Sequence, residues 1–337
     1  MAGVRALEPA SASATRGDGA PGRFDRLILA VDGLPGPAML WYAGFGLVLL
    51  GAAHLFVWAA GALPWGAVVP EIVPPPLLFA YFAWFLGVLK RTAGESFDQF
   101  RPALLEGNHN PAAYRFALTS TSDRQAVVTM AAAVVVIDLL YYTQVRPTLP
   151  PTPPAIEAAT AVLWSLGVAV GGVLLLQAVR QLRLVGRLSA SADNIDIFRP
   201  NPVNAFSRVT ALTAAGILAF VVLFIASNPT QPPPFVLQET LMVGLAVLSF
   251  VYPLRGMHGR LAREKAQLQD KAQDRLKGEY SHVAHLNNAL LALQAEREVL
   301  AKLPTWPWSV GALRGFATAL LLPIGLFVLT RLIERFF

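Results

Sequence analysis

Apolar runs long enough to cross a bilayer recur along almost the whole chain, and they decide what it can fold into. A crossing helix needs about 20 mostly apolar residues, because backbone polar groups in hydrocarbon must be bonded within the segment itself. Seven runs meet that demand, near residues 38–62, 70–89, 125–145, 157–179, 208–227, 236–254 and 310–332. With 55% hydrophobic and only 14% charged residues, the chain as a whole is too apolar for an ordinary soluble domain. The expectation is an all-α, polytopic transmembrane helical bundle with seven spans. Pro74, Pro75 and Pro76 are expected to shorten the second span or bend its outer end.

The connectors alternate in chemistry. Spans one and two, three and four, and five and six are joined by proline-rich segments (LPWGAVVPEIVPPP, RPTLPPTPP and NPTQPPP), stiff and nearly free of basic residues. The other connectors, 90–124 and 180–207, and the segment 255–309 carry charge and turn signals. Of 27 Lys and Arg residues, 24 lie in the N-terminal tail, these two connectors with their edges and residues 255–314. Basic loops stay on the cytoplasmic side, so the N-terminus is expected inside and, after seven crossings, the C-terminus outside at the cell membrane. Arg331 and Arg335 dissent; a re-entrant or surface-lying last segment returns the C-terminus to the inside and leaves six spans.

Four regions follow: a mobile cytoplasmic tail, 1–36; a six-span membrane domain, 37–254; a cytoplasmic helical segment, 255–303; and a final transmembrane helix, 304–337. The tail lacks the basic, apolar and small-residue order of a signal peptide. Trp41, Tyr42, Tyr141, Tyr142, Trp306 and Trp308 fall at span ends, where amphipathic rings prefer to lie. In the TWPW sequence, Pro304 and Pro307 stop the preceding helix before the last span.

From Met257 to Leu303 good helix formers continue without proline. Leu276, Val283 and Leu290, with Leu286, Leu293 and Leu300, recur every seven residues as an apolar seam. The seam fits a helical hairpin turning near Gly278, or a coiled coil with another subunit. The hairpin is preferred because about 45 helical residues would carry the chain roughly 65 Å from the face where the last span must start. Phe100-Arg101-Pro102 with Asn110-Pro111, and Phe198-Arg199-Pro200 with Asn201-Pro202, hint at a duplicated two-span unit or a chance match of turn residues. Gly44, Gly51, Gly167, Gly171 and Gly172 allow close helix approach, and Pro323 frees a carbonyl in the last span.

Signatures of chemistry are missing: no phosphate loop, dinucleotide fingerprint, GxSxG elbow or HExxH helix is present, so the expectation is no enzyme and no cofactor. No cysteine is available for disulfides, thiol nucleophiles or thiolate metal sites. His282 and His285, with Glu279 nearby, are read as solvated positions rather than metal ligands. The net charge of +6 reports topology, and nucleic acid is not expected as a partner. Ionisable groups inside spans are costly unless paired or hydrated, which singles out His54 in span one and Asp138 in span three, at one depth. With Glu157 and Glu239 they are candidates for a polar path or sensing site facing an acidic outer mouth. The expected role is a non-enzymatic, oligomeric channel-like or transport protein, or a signalling or scaffold protein acting through its cytoplasmic helices. Its expected partners are membrane lipid and either further copies of the chain or a cytoplasmic protein. The topology alone resembles that of insect chemoreceptor-type ion channels, which implies oligomeric conduction and transfers no site residue.

Overall fold

A computed structural model describes residues 21–104, 110–148, 151–191, 202, 204–227, 233–279, 295–302 and 305–336. Among them the chain is all-helical, with no strand. Six helical stretches are long and apolar enough to cross a membrane: Ala38–Ala59, Pro70–Ala103, Pro111–Thr143, Pro154–Ser189, Ser207–Ile225 and Thr240–Arg275. By that measure the chain is a multi-pass membrane protein. The helices named below are α1 Arg23–Asp32, α2 Ala38–Ala59, α3 Pro74–Phe100, α4 Pro111–Thr119, α5 Asp123–Leu140, α6 Pro154–Ser191, α7 Ser207–Ser227, α8 Pro233–Val251, α9 Arg255–Glu279 and α10 Val310–Phe336. The last is continuous through Pro323, and its described apolar part is Val310–Pro323.

α3 is the most buried of the crossing helices and packs against α2, α6 and α7. The expectation that three prolines would shorten it is corrected. They occupy its first turn, where the absent N–H groups have no helical partner to lose, and with them the helix has 27 residues. At the other extreme, α5 buries little, and Val127, Val128, Val135, Val136, Leu139 and Leu140 face outward, as a lipid-facing helix requires.

Glycine sets the closest helix approaches. A Cβ at Gly46 would meet the Pro76 carbonyl oxygen at 3.1 Å and the Ala80 Cβ at 3.2 Å, which fixes α2 against α3. One at Gly172 would meet the Ala133 Cβ at 2.6 Å, joining α6 to α5. Gly167 and Gly171 line α3 as expected of small residues, but Gly44 and Gly51 face open space. The packing glycine of α2 is Gly46, which lies on the opposite face from its neighbours.

Residues 21–36 depart from the expected mobile tail. They contain α1, whose Asp25, Ile28 and Val31 are buried at steps of three residues, with Phe24 packed beside them. Ile28 and Val31 share an apolar cluster with Tyr42, Ala80, Ala83 and Val170, so α1 is tied to α2, α3 and α6. Residues 1–20 lie outside the described part.

Beyond the bundle, helical residues 295–302 run back beside α9. Lys265 Nζ donates to the Ala301 carbonyl at 2.8 Å, Arg275 and Glu296 approach to 4.0 Å, and the His258 ring bonds the Thr305 carbonyl at 3.0 Å. The partner numbers fall as the α9 numbers rise, so the two pieces are antiparallel. α9 continues past Gly278 to Glu279, so no turn occurs at that glycine. Of the seam, Leu300 is buried; the side chains of Leu276, Val283, Leu286, Leu290 and Leu293 lie outside the described residues. His282, His285 and the second FRP triplet do too. After the first FRP triplet, Asn110 caps α4 by accepting from the Ala113 amide at 3.2 Å, with Pro111 at the first helical position.

Candidate functional site

Polar groups concentrate at two levels, one at each end of the membrane helices. At the proline-rich end the expected candidates are present as separate local pairs. His54 is buried, its Nδ1 3.0 Å from the Leu50 carbonyl and its Nε2 accepting from the Val69 amide at 3.3 Å. An amide can only donate, so Nε2 is unprotonated and the proton of the neutral ring sits on Nδ1. The ring pins the connector after α2, with Trp58 edge-on to it and bonded to the Ala67 carbonyl at 2.8 Å.

Asp138 accepts from Ser165 Oγ at 2.8 Å, joining α5 to α6, and makes no bond to His54. The shared depth read from the sequence therefore yields no pair. Glu157 is held by Arg146 through two nitrogens, at 2.8 and 3.0 Å. That fork holds the Arg146 guanidinium above its ordinary pKa. Glu157 and Ser165 stand eight residues apart on α6, so Asp138 lies about 12 Å deeper than the Arg146 pair. The Glu239 side chain lies outside the described residues. Between Asp138 and Arg146, the chain leaves α5 through a π-helical turn, Tyr141–Val145, in which Thr143 Oγ1 bonds back to the Leu139 carbonyl at 2.7 Å.

The basic end holds a connected network instead. Asp25 of α1 forms an ion pair with Lys90 of α3, and both side chains are nearly fully buried. The second carboxylate oxygen of Asp25 accepts from the Thr121 amide at 2.7 Å. Thr121 Oγ1 donates to Gln177 Oε1 at 2.9 Å, and the amides of Gln177 and Gln181 both donate to the Leu118 carbonyl, at 2.6 and 2.8 Å. One carbonyl with two lone pairs thus binds two side chains a helical turn apart on α6. Gln181 Oε1 is buried with no hydrogen-bond partner. Alongside, Asp32 takes Arg91 at 3.0 Å and Tyr42 at 3.3 Å, and Asp123 caps the start of α1 by accepting from the Arg23 amide.

Apart from Tyr42, read as an interfacial ring, none of these groups was singled out by the sequence. Asp25 fell in a segment expected to be mobile, and Lys90 counted as a connector charge. Two weak signals were available: a carboxylate in an apolar three-residue step (Asp25, Ile28, Val31), and glutamines at 177 and 181, four apart in an apolar helix.

A third feature sits where the membrane helices meet α9. His258, Trp306, Trp308, Phe250 and Phe316 form one stack, with neighbouring ring centroids 4.0, 4.4, 4.8 and 4.1 Å apart and each ring plane within 17° of the next. It joins the end of α8, the base of α9, residues 305–308 and the first turns of α10.

Among the described residues no group of three His, Asp or Glu side chains could hold a metal ion. No family model matches the chain, and neither a curated protein nor a solved structure matches it significantly.

Proposed function

We propose that the chain is a seven-span membrane protein of the cell membrane that acts by contact, with the hairpin of α9 and residues 295–302 as its cytoplasmic output. The single observation that supports this is the five-ring stack, which couples the ends of α8 and α10 to the base of the hairpin. A shift between these two membrane helices cannot leave the stem unmoved while the rings stay stacked. The excess of basic residues at that end supports a cytoplasmic hairpin and N-terminus, and α10 as a seventh span supports a C-terminus outside.

The coupling has a direct test. The chain has no cysteine, so Ala272→Cys and Val299→Cys, which line one groove between α9 and 295–302, can report the closed stem by disulfide formation. Trp306→Ala is expected to lower the cross-linking yield in the reconstituted full chain. An unchanged yield removes the coupling.

A second reading, an oligomeric channel-like or transport protein, is favoured by Asp138. This carboxylate is only partly buried on a helix that otherwise presents valines and leucines to lipid, a position that further copies of the chain could cover. Planar-bilayer reconstitution with subunit counting separates the two. Conductance abolished by Asp138→Leu selects the channel, and a silent bilayer selects the contact protein.

A further inference from the structure

α1 is turned opposite to a helix that faces water. Its acids point inward: Asp25, 3% exposed, to Lys90, and Asp32 to Arg91 and Tyr42. Its leucines point outward, Leu27 62% and Leu29 59% exposed, with Leu34 exposed just beyond its end. The helix also lies crosswise. Asp25 and Asp32 lie seven residues, about 10 Å, apart along α1, yet Asp25 pairs with Lys90 and the Asp32 carboxylate lies against Gly87, less than one turn apart on α3. Val31 meanwhile packs with Ala80 and Ala83, deeper toward the membrane centre than Lys90. One edge of α1 therefore faces the bilayer interior and the other, marked by the acids, faces the basic end.

Leu27, Ala30 and Leu34 follow steps of three and four residues on the outward edge nearer the membrane interior, close in sequence to exposed Met39, Leu40 and Trp41 at the start of α2. Arg23 and Arg26 are exposed outward, and Arg124 stands exposed beside the Asp123 cap. The three carboxylates of this region, Asp25, Asp32 and Asp123, are engaged with Lys90, Arg91 and the Arg23 amide. What remains outward is an apolar stripe with Arg26 along its edge and Arg23 one turn before Leu27 at its end.

We infer that α1 is an in-plane helix seated at the headgroup boundary of the inner leaflet, where Leu27, Ala30 and Leu34 meet acyl chains and Arg23 and Arg26 bind the phosphate of anionic phospholipid. Placement in the inner leaflet rests on the orientation proposed above; the seating in lipid does not.

The test uses the full chain in vesicles of phosphatidylcholine, alone or mixed equally with phosphatidylglycerol. A nitroxide on Leu27→Cys is expected to collide with oxygen, and one on Leu29→Cys, about 200° round the helix, with a water-soluble nickel chelate. Two water-accessible labels overturn the seating. Native mass spectrometry of the detergent-solubilised protein is expected to show phosphatidylglycerol retained over phosphatidylcholine. Arg23→Gln and Arg26→Gln each lower that preference about fivefold, while Arg115→Gln, at a residue paired with Asp98, leaves it unchanged. Equal retention of the two lipids overturns the anionic specificity, and displacement of phosphatidylglycerol by inorganic phosphate replaces the lipid with a free anion. Labelling of Leu29→Cys by an impermeant thiol reagent from outside intact cells refutes the orientation alone, and leaves the seating to the collision data.

Discussion

The two ends of the membrane bundle use polar residues in opposite ways. At the proline-rich end, His54, Asp138 and Glu157 each bind a partner close in sequence, 4 to 27 residues away. At the basic end, Asp25, Lys90, Thr121 and Gln177 are linked across separations of 56 to 96 residues. Local pairs fix loops and neighbouring helices, whereas the long-range network decides which helices assemble at all. Removing a member should cost accordingly.

The largest effect is expected from Lys90→Met, which leaves the Asp25 carboxylate buried without its cation. Thermal unfolding of the full chain in one lipid or detergent should show a loss of about 3–5 kcal/mol. Adding Asp25→Asn should recover most of it; a double variant no better than the single one would falsify the pairing as the source of the loss. Next comes Gly172→Leu, which drives a side chain into Ala133 and should cost about 1–3 kcal/mol by overpacking. Gly44→Ala, facing open space, should match or exceed the parent in the same melt. Gln177→Leu should destabilise by about 1–3 kcal/mol, since it strands the Thr121 hydroxyl, and Gln181→Leu by less, because one of its amide atoms is already unpartnered. If Gln181→Leu proved the costlier, the network would be misassigned. Smallest of all, Arg146→Ala should lower the melting midpoint only slightly in high salt, because the pair with Glu157 is only partly buried.

How much of this was legible in the sequence depends on the range of the interactions. The apolar runs marked the crossing helices well, since burial in lipid is a property of each segment alone: α2 ends at Ala59 where 62 was expected, and the run expected over 208–227 coincides with α7 but for one residue at its start. Helix ends beyond the bilayer were legible only in part. α3 reaches Phe100 and α6 reaches Ser191, because beyond their apolar runs the two helices bury Ala93, Phe97 and Phe100 with Val185 and Leu188 in one cluster, a tertiary contact that no single run records. The polar candidates were chosen by membership of an apolar run, a criterion that finds His54 and Asp138 and passes over Lys90 at a run's edge. That lysine is buried by α1, a short amphipathic helix whose apolar stretch alone is too short to register as a span. Its packing against α3 is a tertiary fact.

α6 has 38 residues, so it is about 57 Å long, nearly twice the thickness of the hydrocarbon it crosses. Its inner part buries Val185 and Leu188 in one cluster with Phe97 and Phe100 of α3 and Met257 and Leu261 of α9, with Gly186 against Pro253 at the root of α9. A tilt of about 10° around mid-length would sweep the tip by about 5 Å. A Cβ on Gly186 would already stand in van der Waals contact with the Pro253 oxygen, at 3.7 Å, so α6 cannot tilt toward Pro253 without displacing the root of α9. The length of α6 thus makes it a single lever between the proline-rich end and the root of α9.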